Sequence, residues 1–182
     1  MGKREAVKKP KSPRDFYATV DPDAVKPLIA FLGDTLSYAE PCAGNGDLID
    51  QLSSFGLQCD HASDIVSDRY QEYDASTIPY ANLYISGADC IITNPPFSKD
   101  LLLPIMYHLM HSGLPLWLLL PADIMHNKYM TPYMSQCETV VSVGRLCWFP
   151  DEVTGKMVKG VDNYQWMEFV SYETPTTFHG RM

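Results

Sequence analysis

The 182-residue sequence predicts an α/β domain with a mostly parallel sheet covered by helices on both faces. Three observations predict it. Strand-like apolar runs alternate with segments of helical period. The run Leu116–Leu120 is continuously apolar and bounded by prolines, as suits a strand buried on both faces. Two strand candidates run straight into turn-forming loops, Gly44-Asn45-Gly46 and Asn94-Pro95-Pro96-Phe97.

Taken in order, residues 1–14 are polar and basic, contain Pro10 and Pro13, and read as a disordered arm. A single domain over residues 15–182 follows, with no linker, repeat or low-complexity block. Residues 24–31 have helical apolar spacing (Val25, Leu28, Ile29) and a proline-containing start. Leu36 to Glu40 is a strand. Asp47 to Phe55 is a helix with Leu48, Ile49, Leu52 and Phe55 on one side, closed by Gly56. Leu57 to Ser63 is a second strand, and residues 66–88 hold a short helix and a short third strand. Cys90–Thr93 is a buried strand, Leu101 to His111 a helix, and Val140–Val143 and Trp166–Val170 are further strands.

Composition bounds the function. An apolar fraction of 46% suits a globular protein with a real core. No apolar run approaches the ~20 residues of a membrane span, and the N-terminus lacks the apolar stretch of a secretory signal. Five scattered cysteines with no C-x-x-C pair read as reduced thiols in a cytoplasmic protein rather than a disulfide frame or zinc site. His108 and His111 have no further ligand candidates nearby, so no metal site is expected. Formal charge is −8, but residues 1–14 carry six cations against Glu5, a balance of +5; the remainder is −8 − 5 = −13. A basic arm on an acidic body suits a nucleic-acid tether or a solubilising tail. An acidic body that binds phosphates needs a local basic patch.

Two loops carry chemistry. Glu40-Pro41-Cys42-Ala43-Gly44-Asn45-Gly46 lies between a strand and a helix, where open α/β sheets bind ligands, and its glycines allow close backbone approach. Ile49 stands where a dinucleotide fingerprint has its third glycine, and a carboxylate at the loop suits a cation better than a pyrophosphate. In Asn94-Pro95-Pro96-Phe97 two prolines delete two backbone donors. The loop therefore presents acceptors, the Asn94 side-chain oxygen and the Pro95 carbonyl, beside the flat face of Phe97. Two acceptors and a ring suit a planar group bearing an NH2.

The first loop resembles the cofactor loop of class I S-adenosylmethionine-dependent methyltransferases. Asn94-Pro95-Pro96-Phe97 resembles the (N/D)-P-P-(Y/F) tetrapeptide of the amino-methyltransferases, in particular small phage-type enzymes acting on adenine N6 of DNA. Asp15-Phe16-Tyr17-Ala18-Thr19 is similar to the motif preceding the cofactor loop, although Val20-Asp21-Pro22 follow where the family carries an earlier proline. The resemblance implies a Rossmann-like fold, a mostly parallel seven-stranded sheet ending in an antiparallel hairpin whose last strand lies near Trp166–Val170. It implies that S-adenosylmethionine contacts Phe16, Tyr17, Thr19, Glu40, Pro41, Cys42, Gly44, Gly46 and Asn94. Asp64 and Ile65 would meet its ribose, and Asp74 its adenine amine. Asn94, Pro95, Pro96 and Phe97 would be catalytic. The expected partner is nucleic acid, DNA before RNA, in a bacterial or phage-infected cytoplasm. Oligomeric state is open. So are methylation of a protein glutamine amide and a silent, binding-only relative. The family's DNA enzymes usually carry a separate recognition region; here only residues 121–138 and 150–163 offer room, the latter with Lys156 and Lys159.

Overall fold

A computed structural model of the chain describes residues 17–85, 87–149 and 154–181. The expectations for the arm 1–14 and for Phe16 lie outside these. Eight strands form one sheet: β1 Ser37–Glu40, β2 Gln58–Asp64, β3 Gln71–Glu72, β4 Cys90–Thr93, β5 Leu116–Pro121, β6 Cys137–Arg145, β7 Asn163–Phe169 and β8 Thr177–His179. Their spatial order is β3-β2-β1-β4-β5-β7-β6-β8. β1 to β5 are mutually parallel, β7 runs antiparallel between β5 and β6, and β8 is parallel to β6.

Helices α1 Lys26–Ile29, α2 Asp47–Ser53, α3 Tyr80–Ile85, α4 Lys99–Met110 and α5 Thr131–Met134 connect the strands. Because side chains alternate along a strand, one apolar segment feeds two cores. Leu116, Leu118 and Leu120 join Leu102, Met106 and Leu109 of α4 on one face. Trp117 and Leu119 join Leu28 of α1 and Leu48 and Leu52 of α2 on the other. No helix among the described residues is long and apolar enough to cross a membrane.

Three expectations are corrected. The sheet has eight strands, not seven, and β8, not the Trp166 strand, comes last. β8 is three residues long at the sheet edge, with Phe178 63% exposed, so it carries no burial pattern to read. The helix expected over residues 24–31 is a 3-10 turn, Pro22–Ala24, followed by the four-residue α1. Pro27 has no N–H to continue the turn into a longer helix.

β1 leads outward to β2 and β3, and the chain then crosses back to place β4 on the other side of β1. The carboxyl ends of β1 and β4 therefore flank the point where chain direction reverses, the place where open α/β sheets leave a crevice. Glu40 closes β1, and Thr93 precedes Asn94 at the end of β4.

Candidate active site

A cavity of about 960 Å³ opens at this crevice. That lies at the upper end of the range for small-molecule sites. Tyr17, Thr19, Glu40, Pro41, Cys42, Gly44, Asp64, Ile65, Asp74, Asn94 and Pro96 line it, so the structure gathers most of the residues singled out from sequence. Gly46 and Phe97 adjoin it without lining it. Five aspartates (Asp47, Asp64, Asp68, Asp74, Asp100) and the buried Glu40 line it with a single guanidinium, Arg69. A field of that sign repels phosphates and draws cations.

The glycine loop is held by its own N–H groups. Cys42 N–H donates to Glu40 Oε1 (2.9 Å), Ala43 N–H to the Ser63 carbonyl (2.9 Å), Gly44 N–H to Asp64 Oδ2 (2.8 Å) and Gly46 N–H to the Ala43 carbonyl (2.8 Å). Those four donors are spent internally, so the loop is no phosphate cradle of the kind that helix-opening glycine loops provide. Gly46 has φ of +93°, and a Cβ there would collide with the Tyr70 side chain. Asp64 Oδ1 accepts Val66 N–H (3.1 Å), so both its oxygens order loops, each with a lone pair to spare. Asp74 Oδ1 accepts from the N–H and hydroxyl of Ser76.

Glu40 is fully buried. Burial pushes its carboxyl up to about 8, with Asp64 adding to the rise and the Cys42 N–H opposing it. Its Oε2 has no hydrogen-bond partner. The Thr93 hydroxyl also opposes the rise, yet it forms no hydrogen bond of its own, so the acid keeps an oxygen for a cationic or donor-bearing ligand.

The second loop is built from the N-terminal segment. Asn94 Nδ2 donates to the Tyr17 carbonyl (2.8 Å) and to Thr19 Oγ1 (2.9 Å). A carbonyl can only accept, so this fixes the amide's orientation and leaves Oδ1 as the free acceptor. Oδ1 is buried and unpartnered. Thr19 in turn is tied to α2, its carbonyl accepting from the Gln51 side chain. Pro104, in the second turn of α4, lines the cavity and removes the N–H that would bond the Asp100 carbonyl.

Beside Asn94 stands an aromatic cluster. The Tyr17 ring stacks on Phe97 at 4.6 Å and 24°. Trp148 meets both edge-on, at 5.7 Å from Tyr17 and 6.0 Å from Phe97, each at 67°. Tyr164 packs on Phe97 and Trp148. Asp21 joins the two sides: its carboxylate accepts Asp23 N–H and, across the chain, Cys147 N–H (both 3.0 Å).

Sequence reasoning missed Arg69, Trp148 and Asp21. Arg69 donates to the Asn45 carbonyl (2.9 Å) and lies over the Tyr70 ring, closing the 65–70 loop onto the glycine loop. Its only signal was that it sits just after the acidic end of β2. Trp148 belongs to no motif; it is buried, and its ring partners are Tyr17, Phe97 and Tyr164.

No protein-family model matches the chain, and no curated protein sequence matches it. Solved structures match in fold. A Pyrococcus horikoshii protein described as an RNA methyltransferase superposes with TM-score 0.58 at 16% identity, over 92% of this chain and 93% of that one. The methyltransferase subunit of a type I restriction-modification system from Streptococcus thermophilus gives 0.52 at 13% identity, over 90% of this chain and 47% of its own. The modification subunit of a Vibrio vulnificus protein described as a type I restriction enzyme gives 0.56 at 12%, over 94% and 48%. This chain spans about half the length of those two subunits. It shares their fold, an α/β sheet whose parallel strands β1 to β5 are followed by the antiparallel β7.

Proposed function

We propose that the chain is an S-adenosylmethionine-dependent methyltransferase that methylates an exocyclic amine, adenine N6 of DNA foremost. The observation that carries this reading is a carboxylate-lined cavity bordered by Asn94, whose Oδ1 has no hydrogen-bond partner. The residues fit the cofactor's chemistry. Glu40 and the neighbouring carboxylates oppose the positive charge of a sulfonium and an ammonium, where a dinucleotide would be repelled. Asp64 retains lone pairs for ribose hydroxyls, Ile65 offers an exposed apolar side chain to a purine, and Asp74 borders the same wall.

The bound cofactor supplies an electrophilic methyl group on sulfur. Everything else falls to this chain's residues. An adenine amine is a poor nucleophile because its lone pair is delocalised into the ring. Asn94 Oδ1 accepts one of its N–H bonds, and the Pro95 carbonyl stands next in the chain as a second acceptor. Both interactions strengthen as the nitrogen becomes pyramidal and gains positive charge, so they favour the transition state over the ground state. Because Tyr17 and Thr19 hold the Asn94 amide in place, this acceptor needs no reorganisation. Phe97 stacks the base and holds its nitrogen in line with the methyl group.

Nucleic acid as substrate is supported by what structural neighbours are described as acting on or belonging to, an RNA methyltransferase and two restriction-modification subunits. It is supported also by charge: Lys99, two residues after Phe97, lies over the Tyr129 ring at 5.6 Å, and Lys128, next to Tyr129 in sequence, is exposed, two cations that favour the approach of phosphates to an acidic body.

The test is mass spectrometry of nucleosides after incubating DNA or RNA with the protein and cofactor, using parent and Asn94→Ala. N6-methyldeoxyadenosine with the parent alone supports the reading. N6-methyladenosine from RNA only moves the substrate to RNA. No methylated nucleoside from either, with label instead on a protein glutamine or nowhere, overturns it.

A further inference from the structure

Two buried polar atoms around Phe97 find no hydrogen-bond partner: the acceptor Asn94 Oδ1 and the donor Trp148 Nε1. Trp148 is 6% exposed, so its indole N–H is not left to water. Buried orphan donors are costly and few, and a ligand that completes them is one reason to keep them. The rings around them have a definite arrangement. Phe97 already carries a flat ring, that of Tyr17, at stacking distance. Trp148 stands nearly perpendicular at the border of that stack, against Tyr17 and Phe97 alike. Asn94 is bonded to the backbone of the same Tyr17. The stacked pair thus lies among an unused acceptor, an unused donor and a perpendicular indole.

We propose that Trp148 is a specificity-determining residue of the target site. A base replaces the Tyr17 ring on Phe97 while the Tyr17 carbonyl stays on Asn94 Nδ2, the base's exocyclic amine donates to Asn94 Oδ1, and a ring nitrogen on the same edge as that amine accepts the Trp148 Nε1–H. This inference rests on the proposed function and deepens it. The pairing asks for an amine donor beside a ring-nitrogen acceptor. Adenine offers that pair on either side of its amine, through N1 or N7, and cytosine offers it once. Thymine and hypoxanthine place a carbonyl where the amine must be, facing Asn94 Oδ1 acceptor to acceptor, and guanine offers its amine and N3 only on the edge that carries the sugar. Tyr17 is the stand-in: a planar ring that keeps the face of Phe97 covered until a base takes it.

The experiment crosses one variant with two substrate analogues. Parent and Trp148→Phe proteins, full chain, are assayed for methyl transfer to oligo(dA) and to oligomers of 1-deazaadenine or 7-deazaadenine, reading KM and kcat separately. Each analogue deletes one ring nitrogen and keeps the amine. With the parent, one of the two raises KM by about tenfold, the worth of one buried hydrogen bond. Trp148→Phe raises KM for plain oligo(dA) by a similar factor and abolishes the difference between oligo(dA) and that analogue. A purely structural role for the ring would shift all substrates together and preserve the difference, which would overturn the proposal. Thermal unfolding of Trp148→Phe checks folding; because the N–H has no partner without substrate, its loss should lower the midpoint little. If Trp148→Phe does not fold, the parent's response to the two analogues decides: indifference to both sinks the proposal. Collapse of transfer in Asn94→Ala with an intact analogue difference in Trp148→Phe removes this inference alone. Failure of the parent to methylate oligo(dA) removes it together with the function on which it rests.

Discussion

Replacing Glu40 by glutamine should make the cofactor-free protein more stable, and increasingly so as pH rises. In the folded chain the carboxyl titrates near 8, against an ordinary value of 4.5, because it is fully buried. Between those values the unfolded chain has released a proton that the folded protein still holds. Stability contributed by this group is therefore intact below pH 4.5 and falls as pH rises to about 8. At 1.36 kcal/mol per pH unit, the rise from 4.5 to about 8 sets a ceiling of about 5 kcal/mol. Glutamine stays neutral throughout. Urea unfolding without cofactor should show Glu40→Gln close to the parent at pH 4.5 and ahead of it by a few kcal/mol at pH 8.5. The same residue makes cofactor binding proton-linked. At pH 7 a carboxyl titrating near 8 is about nine-tenths protonated, and a cation placed against it drives the proton off. Calorimetry in buffers of different ionisation enthalpy should find about 0.9 more protons released per S-adenosylmethionine by the parent than by Glu40→Gln, the cofactor's own ammonium cancelling in the comparison. A stability gap that does not widen with pH, or equal proton release by both proteins, would refute a buried neutral acid awaiting a cation.

Asn94→Ala should leave S-adenosylmethionine affinity within about twofold while lowering kcat roughly a hundredfold or more, the usual cost of one preorganised acceptor or donor, about 3 kcal/mol; equal losses in both would place Asn94 in cofactor binding alone. Tyr17→Ala removes a ring that a base must displace from Phe97, a contact worth about 0.5–1.5 kcal/mol. KM for oligo(dA) should fall up to about tenfold, whereas weaker cofactor binding instead would put Tyr17 against the cofactor's adenine. Asp64→Asn leaves a single acceptor facing Gly44 N–H and Val66 N–H. Urea midpoints should report about 1–3 kcal/mol lost, with cofactor affinity reduced in parallel; an unchanged midpoint would mean the loop does not depend on that carboxylate.

Legibility in the sequence followed burial and local spacing. β5 could be read because both its faces are buried, which leaves no polar residue to interrupt Leu116–Leu120. The Asp47 helix was visible because Leu48 and Leu52 share a face that packs on the sheet. Both loops were visible because their residue types differ sharply from those of a strand or helix. What stayed hidden depends on partners distant in the chain. The short strand and helix expected within residues 66–88 are there, but the place of β3 was not legible, since it is two exposed residues set only by the free edge of β2. The aromatic cluster joins Tyr17, Phe97, Trp148 and Tyr164 from four separate segments, and no spacing in the chain marks them as neighbours. The same holds for Asp21 and Cys147 N–H, 126 residues apart.

Asn94 shows why a motif alone leaves its mechanism undecided. An asparagine at the end of β4 has a donor and an acceptor, and the tetrapeptide does not say which one faces the ligand. Tyr17 and Thr19 decide it by taking the donor, a carbonyl at 2.8 Å and a hydroxyl at 2.9 Å. Thr19 thereby acquires a part that its departure from the familiar proline-bearing motif left open: its hydroxyl orients Asn94, and its carbonyl ties that support to Gln51 of α2, the helix that follows the glycine loop. Helix α2, the early segment and the second loop are thus one hydrogen-bonded unit. In a methyltransferase built this way, a change at Gln51, which does not line the cavity, reaches the amine acceptor without touching either ligand, because it loosens the Thr19 that holds the amide.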